Sequence, residues 1–360
     1  MAKITLPALL KTMVEQDASD LHITVGIPPE FRMQGKMVKV KTEALSHQDT
    51  KELCYSVLTD AQKSDFEKVL ELDFSFGIKD IARFRGNLFY QRGGVAAVFR
   101  RIPLVIPSYD GLGLPEIMKK VIRRPNGMIL VTGPTGSGKT TTLAALLDIL
   151  NREEYGHILT VEDPIEFVHP HKNCVVNQRE VGVDTKSFAS ALRRVLRQDP
   201  DYVLVGELRD VETIEMALTM AETGHLVFGT LHTNSAVQSI NRIVNVFPPH
   251  QQPQIRQVLS FTLQAILSQQ LVPRSYAAGR ALAVEMLLPT MAIRNLIRED
   301  KLHQIYSSMQ SGQDDTSMGT MNQSLYNLVK QGVLSKQDAL EHSFMPDELV
   351  KLLTGLRERR

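Results

Sequence analysis

Cysteine is scarce in this sequence: Cys54 and Cys174 stand alone, far apart and in no CxxC arrangement. That excludes a disulfide framework or a cysteine zinc site, and it fits a reducing compartment. Charge of one sign is also lacking. Lys and Arg number 41 against 40 Asp and Glu, leaving +1 at pH 7. Such a balance gives no electrostatic case for wrapping nucleic acid. Long hydrophobic runs are missing too, since no stretch approaches the ~18 uninterrupted apolar residues of a membrane-spanning helix. The N-terminus, MAKITLPALLKTMVEQ, does not read as a signal peptide, because Lys11 and Glu15 interrupt its apolar residues. Internal repeats and long low-complexity segments are absent. A cytoplasmic protein is expected.

What is present fits a soluble chain of more than one domain. Its 360 residues, 43% hydrophobic and 22% charged, are enough for two cores. Leu6, Leu9, Leu10, Met13 and Val14 recur with helical spacing and predict an opening helix. SDLHITVGIPPEFRMQGKMVKV reads as strands broken by Gly and Pro, residues 47–69 read as helical, and DFSFGI, ARFRGNLFYQ and VAAVFRRI read as strands. Arg92–Gly94 reads as the hairpin turn between the last two. These residues, 1–101, form an expected α+β domain. The Pro- and Gly-rich residues 102–115 read as a linker. From there the apolar strands NGMILVTG, HILTVED, DYVLVGE and HLVFGTLH alternate with helical segments, the pattern of a parallel sheet covered on both faces. Residues 116–290 form this expected α/β core, and residues 291–360 read as a helical C-terminal region.

The strongest motif is GPTGSGKTT, comprising Gly133, Pro134, Thr135, Gly136, Ser137, Gly138, Lys139, Thr140 and Thr141. It fills every fixed position of the phosphate loop and stands between a strand and a helix, the context that motif requires. Its glycines let the backbone curl into a nest of N–H groups at a helix N-terminus. Lys139 reaches the β- and γ-phosphates of ATP, and the Thr140 hydroxyl is a ligand for Mg²⁺.

Hydrolysis also needs groups that orient water and hold the metal. Two acidic sites follow apolar strands, at the end where open parallel sheets bind ligands. One is TVEDPIEF, with Glu162, Asp163 and Glu166; the other is VLVGELRD, with Glu207 and Asp210. Asp-Pro also starts turns, so a polar turn is an alternative for Asp163 and Glu166. Gly206 stands where many phosphate-loop proteins carry a metal-holding aspartate. His225 and His232 bracket the apolar run LVFGTL. On a strand, residues seven apart point to opposite faces more than ~20 Å from each other, so the pair does not chelate one ion. Each histidine is equally open to local hydrogen bonding at a strand end.

GPTGSGKTT, TVEDPIEF, VGELRD and GHLVFGTLH stand in one order. That order resembles the secretion ATPase superfamily, where they are named Walker A, Asp box, Walker B and His box. ASDLHI, ARFRGNLF and AIRNLIRED extend the resemblance over essentially the whole chain, and AIRNLIRE, Ala292 to Glu299, resembles the retraction branch. The resemblance implies a PAS-like N-terminal domain followed by a RecA-like ATPase domain with a helical tail, assembled as a homohexamer with ATP and Mg²⁺ bound and no zinc. It implies Glu162 as water activator, Glu207 as metal-side carboxylate, and His225 and His232 as residues coupling nucleotide state to structure. It also implies that arginines of the N-terminal domain act at the nucleotide; Arg83, Arg85 and Arg100 are the candidates, with a solvated strand face as the alternative for at least one. The implied function is ATP-driven type IV pilus retraction, and thus twitching motility, at the cytoplasmic face of the inner membrane. The implied partners are an inner-membrane platform protein and the pilus machinery, with a second retraction ATPase as a further one. Alternatives are an accessory retraction ATPase, another secretion-type ATPase, a DNA translocase and a nucleotide-gated assembly module that barely turns over.

Overall fold

A computed structural model describes residues 4–33, 35–79, 81–102, 105–311 and 317–354. They divide into two compact units, with the boundary in the chain between Val105 and Ile106.

The first unit opens with α1 (Leu6–Glu15), whose Leu6, Leu9, Leu10 and Met13 are buried as their spacing predicts. Strands β1 (Asp20–Ile23), β2 (Glu30–Met33) and β3 (Lys36–Lys39) follow. Residues 47–69 are helical in two pieces, α2 (His47–Tyr55) and α3 (Asp60–Val69). The break has a local cause. Thr59 accepts from the backbone of Gln62 while the Gln62 side chain accepts from the backbone of Thr59, a reciprocal cap that starts a new helix. Strands β4 (Glu71–Ile78), β5 (Ala82–Gln91) and β6 (Gly94–Ile102) complete the unit. Among the described residues they form a six-stranded sheet in the order β3-β2-β1-β6-β5-β4, antiparallel throughout. Gln91 pairs with Gly94 across the turn, where Arg92 and Gly93 both take positive φ. Phe66, Phe84 and Phe99 are fully buried in the core beneath α1 to α3. Burial alternates along β5, so Arg83, Arg85 and Asn87 share the face away from Phe84 and Leu88.

The second unit contains α4 (Ile117–Val121), β7 (Gly127–Thr132), α5 (Lys139–Glu153), β8 (His157–Glu162), β9 (Val175–Glu180), α6 (Phe188–Val195) and β10 (Tyr202–Val205). Then come α7 (Val211–Glu222), β11 (Leu226–Leu231), α8 (Ala236–Asn245), α9 (Gln252–Thr262), β12 (Leu263–Pro273) and β13 (Arg280–Leu287). The C-terminal helices are α10 (Met291–Arg298), α11 (Ile305–Ser311), α12 (Met321–Lys330), α13 (Lys336–Glu341) and α14 (Pro346–Leu353). Among the described residues the sheet has seven strands, ordered β13-β12-β7-β11-β10-β8-β9. It is parallel except for β13, which runs antiparallel to β12.

The apolar strands are buried on both faces. Met128 and Leu130 of β7 pack with residues of α6 to α10, and Ile129 and Val131 pack with those of α4 and α5. From Ile106 onward the Pro- and Gly-rich stretch joins this second core, since Tyr109 and Leu114 are buried against α5 and the sheet. A smaller cluster centred on Leu325 and Leu349 packs α12 to α14 on Val272 of β12 and Ala283 of β13. β12 and β13 are not evident in the sequence pattern. Ser268, Gln269 and Gln270 interrupt the hydrophobic run of β12, although Ser268 and Gln269 are buried.

Phe84→Ala removes a ring from the middle of the first core and lowers stability by about 3–5 kcal/mol. Val69→Ala, at an exposed position, changes it by less than ~0.5 kcal/mol. Urea denaturation of the two variants checks the contrast, and equal midpoints would contradict the core assignment.

Candidate functional site

β7 is flanked by β11 and β12, while the next strand in the chain, β8, lies beyond β11 and β10. The chain leaves β7 at its C-terminal end, turns through residues 133–138 and enters α5. Such a crossing point is where open α/β sheets bind ligands. Gly133 takes φ +143°, and a Cβ there would lie 2.2 Å from the carbonyl oxygen of Gln269 on β12. Only glycine fits. Gly138 precedes α5 in a left-handed conformation, φ +88°. The Gln269 side chain is buried, and its Nε2 donates to the carbonyl of Ser137 at 2.7 Å. β12 thus holds both ends of the loop. The buried ammonium of Lys139 donates to the carbonyls of Gly133 at 2.8 Å and Pro134 at 3.1 Å. Burial lowers its pKa, against the attraction of Glu207. Thr140 and Thr141 follow in the first turn of α5 and are half-buried.

Beneath the loop runs a line of hydroxyls. Thr132 Oγ1 lies 2.8 Å from Ser268 Oγ of β12 and 3.4 Å from Ser239 Oγ of α8. Ser239 Oγ is also 2.6 Å from Thr233 Oγ1, the residue after His232, and donates to the Ser235 carbonyl at 2.7 Å.

The two carboxylates differ in setting. Glu162 ends β8 and is buried. Its Oε1 accepts from Thr160 Oγ1 at 2.6 Å and from Gln178 Nε2 at 3.2 Å. Burial pushes its carboxyl up to about 7, against those two bonds and one from the backbone of Glu166. Gly206 leaves room for the Glu162 backbone, since a Cβ there would come within 3.2 Å of the Glu162 Cα. Glu207 is more open and pairs with Arg209 at 2.7 Å and with His232 Nε2 at 3.4 Å. Burial would raise its pKa, but Arg209 and His232 outweigh burial and hold it below the usual carboxylate range. One group is therefore poised to trade a proton near neutrality and the other stays ionised.

Residues 2–341 match the family of type II/IV secretion system proteins. The chain belongs to that family. Among its relatives, the type IV pilus retraction ATPase PilT of Pseudomonas aeruginosa is 50% identical over 94% of this chain and 98% of its own length. The type IV pilus ATPase PilU of the same organism is 42% identical over 95% of this chain and 89% of its own. A solved structure of the pilus retraction motor PilT with bound ADP superposes with a TM-score of 0.92 at 52% identity, covering 97% of this chain and 99% of that one.

Within this secretion-family fold, the phosphate loop, Glu207 and His232 come together, and Glu162 stands at the same sheet edge. His225 does not join them. Leu226 pairs with Gly127 and Leu231 with Thr132, which puts His225 at the opposite edge, about 20 Å away along the strand. Its Nδ1 lies 3.1 Å from the Met220 carbonyl at the end of α7. Asp210 also serves a local purpose: it caps α7, accepting from the Thr213 N–H at 2.8 Å and the Thr213 hydroxyl at 2.9 Å. Arg83, Arg85 and Arg100 belong to the first unit. Arg83 donates to Ser75 Oγ at 2.9 Å, Arg100 pairs with buried Asp20 at 2.7 Å, and Arg85 lies 3.8 Å from Asp73. Arg85 and Arg100 are direct cross-strand partners, so the two carboxylates offset their mutual repulsion. Of the supporting residues, Thr160 opens TVEDPIEF, whereas Gln178, Ser239 and Gln269 belong to no recognisable motif. Their one sequence signal is polarity inside or beside apolar strands.

Glu162 accepts a proton only when ionised. With its carboxyl at about 7, kcat/KM for ATP rises with pH through neutrality and levels off above it. Glu162→Gln loses that limb and roughly 10²–10⁴-fold in rate, the range of a lost general base. Phosphate release measured across pH tests both; a flat wild-type profile would remove Glu162 from the role.

Proposed function

We propose that this chain is an ATPase motor that powers type IV pilus retraction and hence twitching motility. The observation that carries this reading is the 50% identity to PilT across nearly the full length of both chains. The relative named twitching motility protein, from Neisseria gonorrhoeae, adds support at 47% identity over 92% of this chain. The accessory reading is less favoured, because identity to PilU is 42% over a similar span.

The site suggests how each group acts. The loop N–H groups and the start of α5 receive phosphate oxygens, and Lys139 exchanges its loop carbonyls for the β- and γ-phosphates of ATP. Glu162 takes the proton of the attacking water. The remaining donors fit Mg²⁺, for a hydroxyl at Thr140 and an ionised carboxylate at Glu207 are the hard oxygen ligands it prefers. Mg²⁺ held by these two residues would supply positive charge to the phosphate oxygens. Glu207 also holds His232, so charge changes at the nucleotide are felt by the ring and by Thr233 beyond it. Arg83, Arg85 and Arg100 are candidates to stabilise charge on the γ-phosphate from the N-terminal domain. His225 stands away from the chemistry, against the Met220 carbonyl, and couples to the nucleotide state only through β11.

In this proposal residues 1–101 form the PAS-like domain, residues 102–115 the linker, residues 116–290 the RecA-like core and residues 291–360 the helical tail. Six copies form a ring at the cytoplasmic face of the inner membrane. The ring turns a platform protein of the pilus machinery, with a second retraction ATPase as a further partner and no nucleic acid.

In a strain lacking its own retraction ATPase, this chain restores twitching and the Glu207→Gln variant does not. Purified Glu207→Gln binds ATP while phosphate release falls by roughly 10²-fold. Normal twitching by that variant, or none by the wild-type chain, would overturn the proposal.

A further inference from the structure

At the opposite edge of the second sheet from the phosphate loop lies a cleft of roughly 340 Å³, lined by residues that include Lys120, Arg124, Gln264, Thr290 and Arg294. Gln264 and Asn126 lie at the starts of β12 and β7, so the six residues of β7 separate this cleft from Gly133 by about 20 Å. The cations of the segment sort into two kinds. Lys119 pairs with Asp110 at 2.5 Å and with Glu116 at 3.1 Å, and Arg123 pairs with Glu153. Lys120, near the end of α4, and Arg124, in the bend that follows it, make no ion pair among the described residues, and both are exposed. They meet Arg294 of α10, which is half-buried and donates to the carbonyls of Ser260 and Phe261 at the end of α9.

Nothing acidic lines this cleft among the residues that form it. The charged neighbours acting on Arg294 are Arg124 and Arg298, both cations, and with burial they depress its pKa. Of these, Arg298 faces partial compensation from Glu299. Like charges gathered without a counter-charge cost stability unless an anion completes them. A lysine point charge beside two guanidinium forks is the donor set that suits a phosphate group.

We propose that Lys120, Arg124 and Arg294 form a second oxyanion site, separate from the nucleotide loop, that takes a phosphate group. Its source is either an anionic lipid headgroup or soluble phosphate. The site needs no motion of the sheet, because Lys120 and Arg124 already reach solvent and Arg294 is fixed by the α9 carbonyls.

The test uses the full chain saturated with Mg²⁺ and ADP, so that the nucleotide loop is filled. Wild type and the double variant Lys120→Gln with Arg124→Gln are compared on vesicles of phosphatidylcholine with and without phosphatidylglycerol, and with inorganic phosphate followed by thermal stabilisation. Both substituted side chains are exposed and make no ion pair among the described residues, so the variant keeps its fold and its basal ATPase rate, and a melting curve verifies this. For a headgroup, wild type sediments only with anionic vesicles and the variant binds about 30-fold more weakly, from ~1 kcal/mol per basic residue. For soluble phosphate, wild type is stabilised by the ion and the variant is not. Equal binding by both proteins, or no response of wild type to either probe, would overturn the proposal. So would preferential binding of polyglutamate over both phosphate probes, or a change of oligomeric state in the variant, which would assign these cations to an acidic protein or to a second copy of the chain.

Discussion

At Gly133 the first carbon of any side chain would sit 2.2 Å from the carbonyl oxygen of Gln269. The phosphate loop therefore rests on the bare backbone of β12, and the rest of the second unit accommodates that contact. β12 must lie beside β7, so the chain returns there after completing β8 to β11. Gln269 must place an amide in the interior to reach the Ser137 carbonyl, and Ser268 must carry a hydroxyl to meet Thr132. In its middle, where it supports the loop, β12 carries these polar groups within an apolar run. The Ser268 hydroxyl and the Gln269 amide nitrogen each find a partner, whereas the buried Gln269 Oε1 has none among the described residues.

The same sheet edge separates two carboxylates by environment. Glu162 is enclosed, and its hydrogen bonds come from neutral donors, Thr160 and Gln178, which orient it without cancelling the cost of burial. Glu207 meets a guanidinium and an imidazole, and those neighbours prevail over partial burial. The two displacements, on adjacent strands, run in opposite directions and come from surroundings alone, with no change in residue chemistry. Gly206 permits the arrangement by keeping β10 close to the Glu162 backbone.

The parallel sheet was legible in the sequence because β7, β8, β10 and β11 are apolar on both faces, and a buried strand cannot disguise that. The loop was legible because phosphate binding demands glycines and a lysine at fixed spacing. His232 and His225 could be assigned to opposite ends of β11 from strand rise alone. What lay beyond reach depends on contacts between residues distant in sequence. Ser268 and Gln269 break the hydrophobic pattern of β12 because they serve residues more than a hundred positions earlier, so the strand was missed. Asp210 looks like any carboxylate near a Walker B strand until Thr213 shows that it caps a helix. Gln178 acquires meaning only beside Glu162. Residues 47–69 read as helical and are so in two pieces, and the break between them comes from a cap that Thr59 and Gln62 build locally.

The hydroxyls of Thr233, Ser239, Thr132 and Ser268 form a line from the residue after His232 to β12. A hydroxyl both donates and accepts, and its hydrogen swings about the C–O bond at little cost. Ser239 commits its one hydrogen to the Ser235 carbonyl, so Thr233 donates into Ser239 and the Thr132–Ser268 pair is the link whose direction is free to reverse. At that pair the hydrogens can rotate while the heavy atoms stay in place. The base of the phosphate loop is joined to its neighbours by a coupling that yields in direction but holds in position.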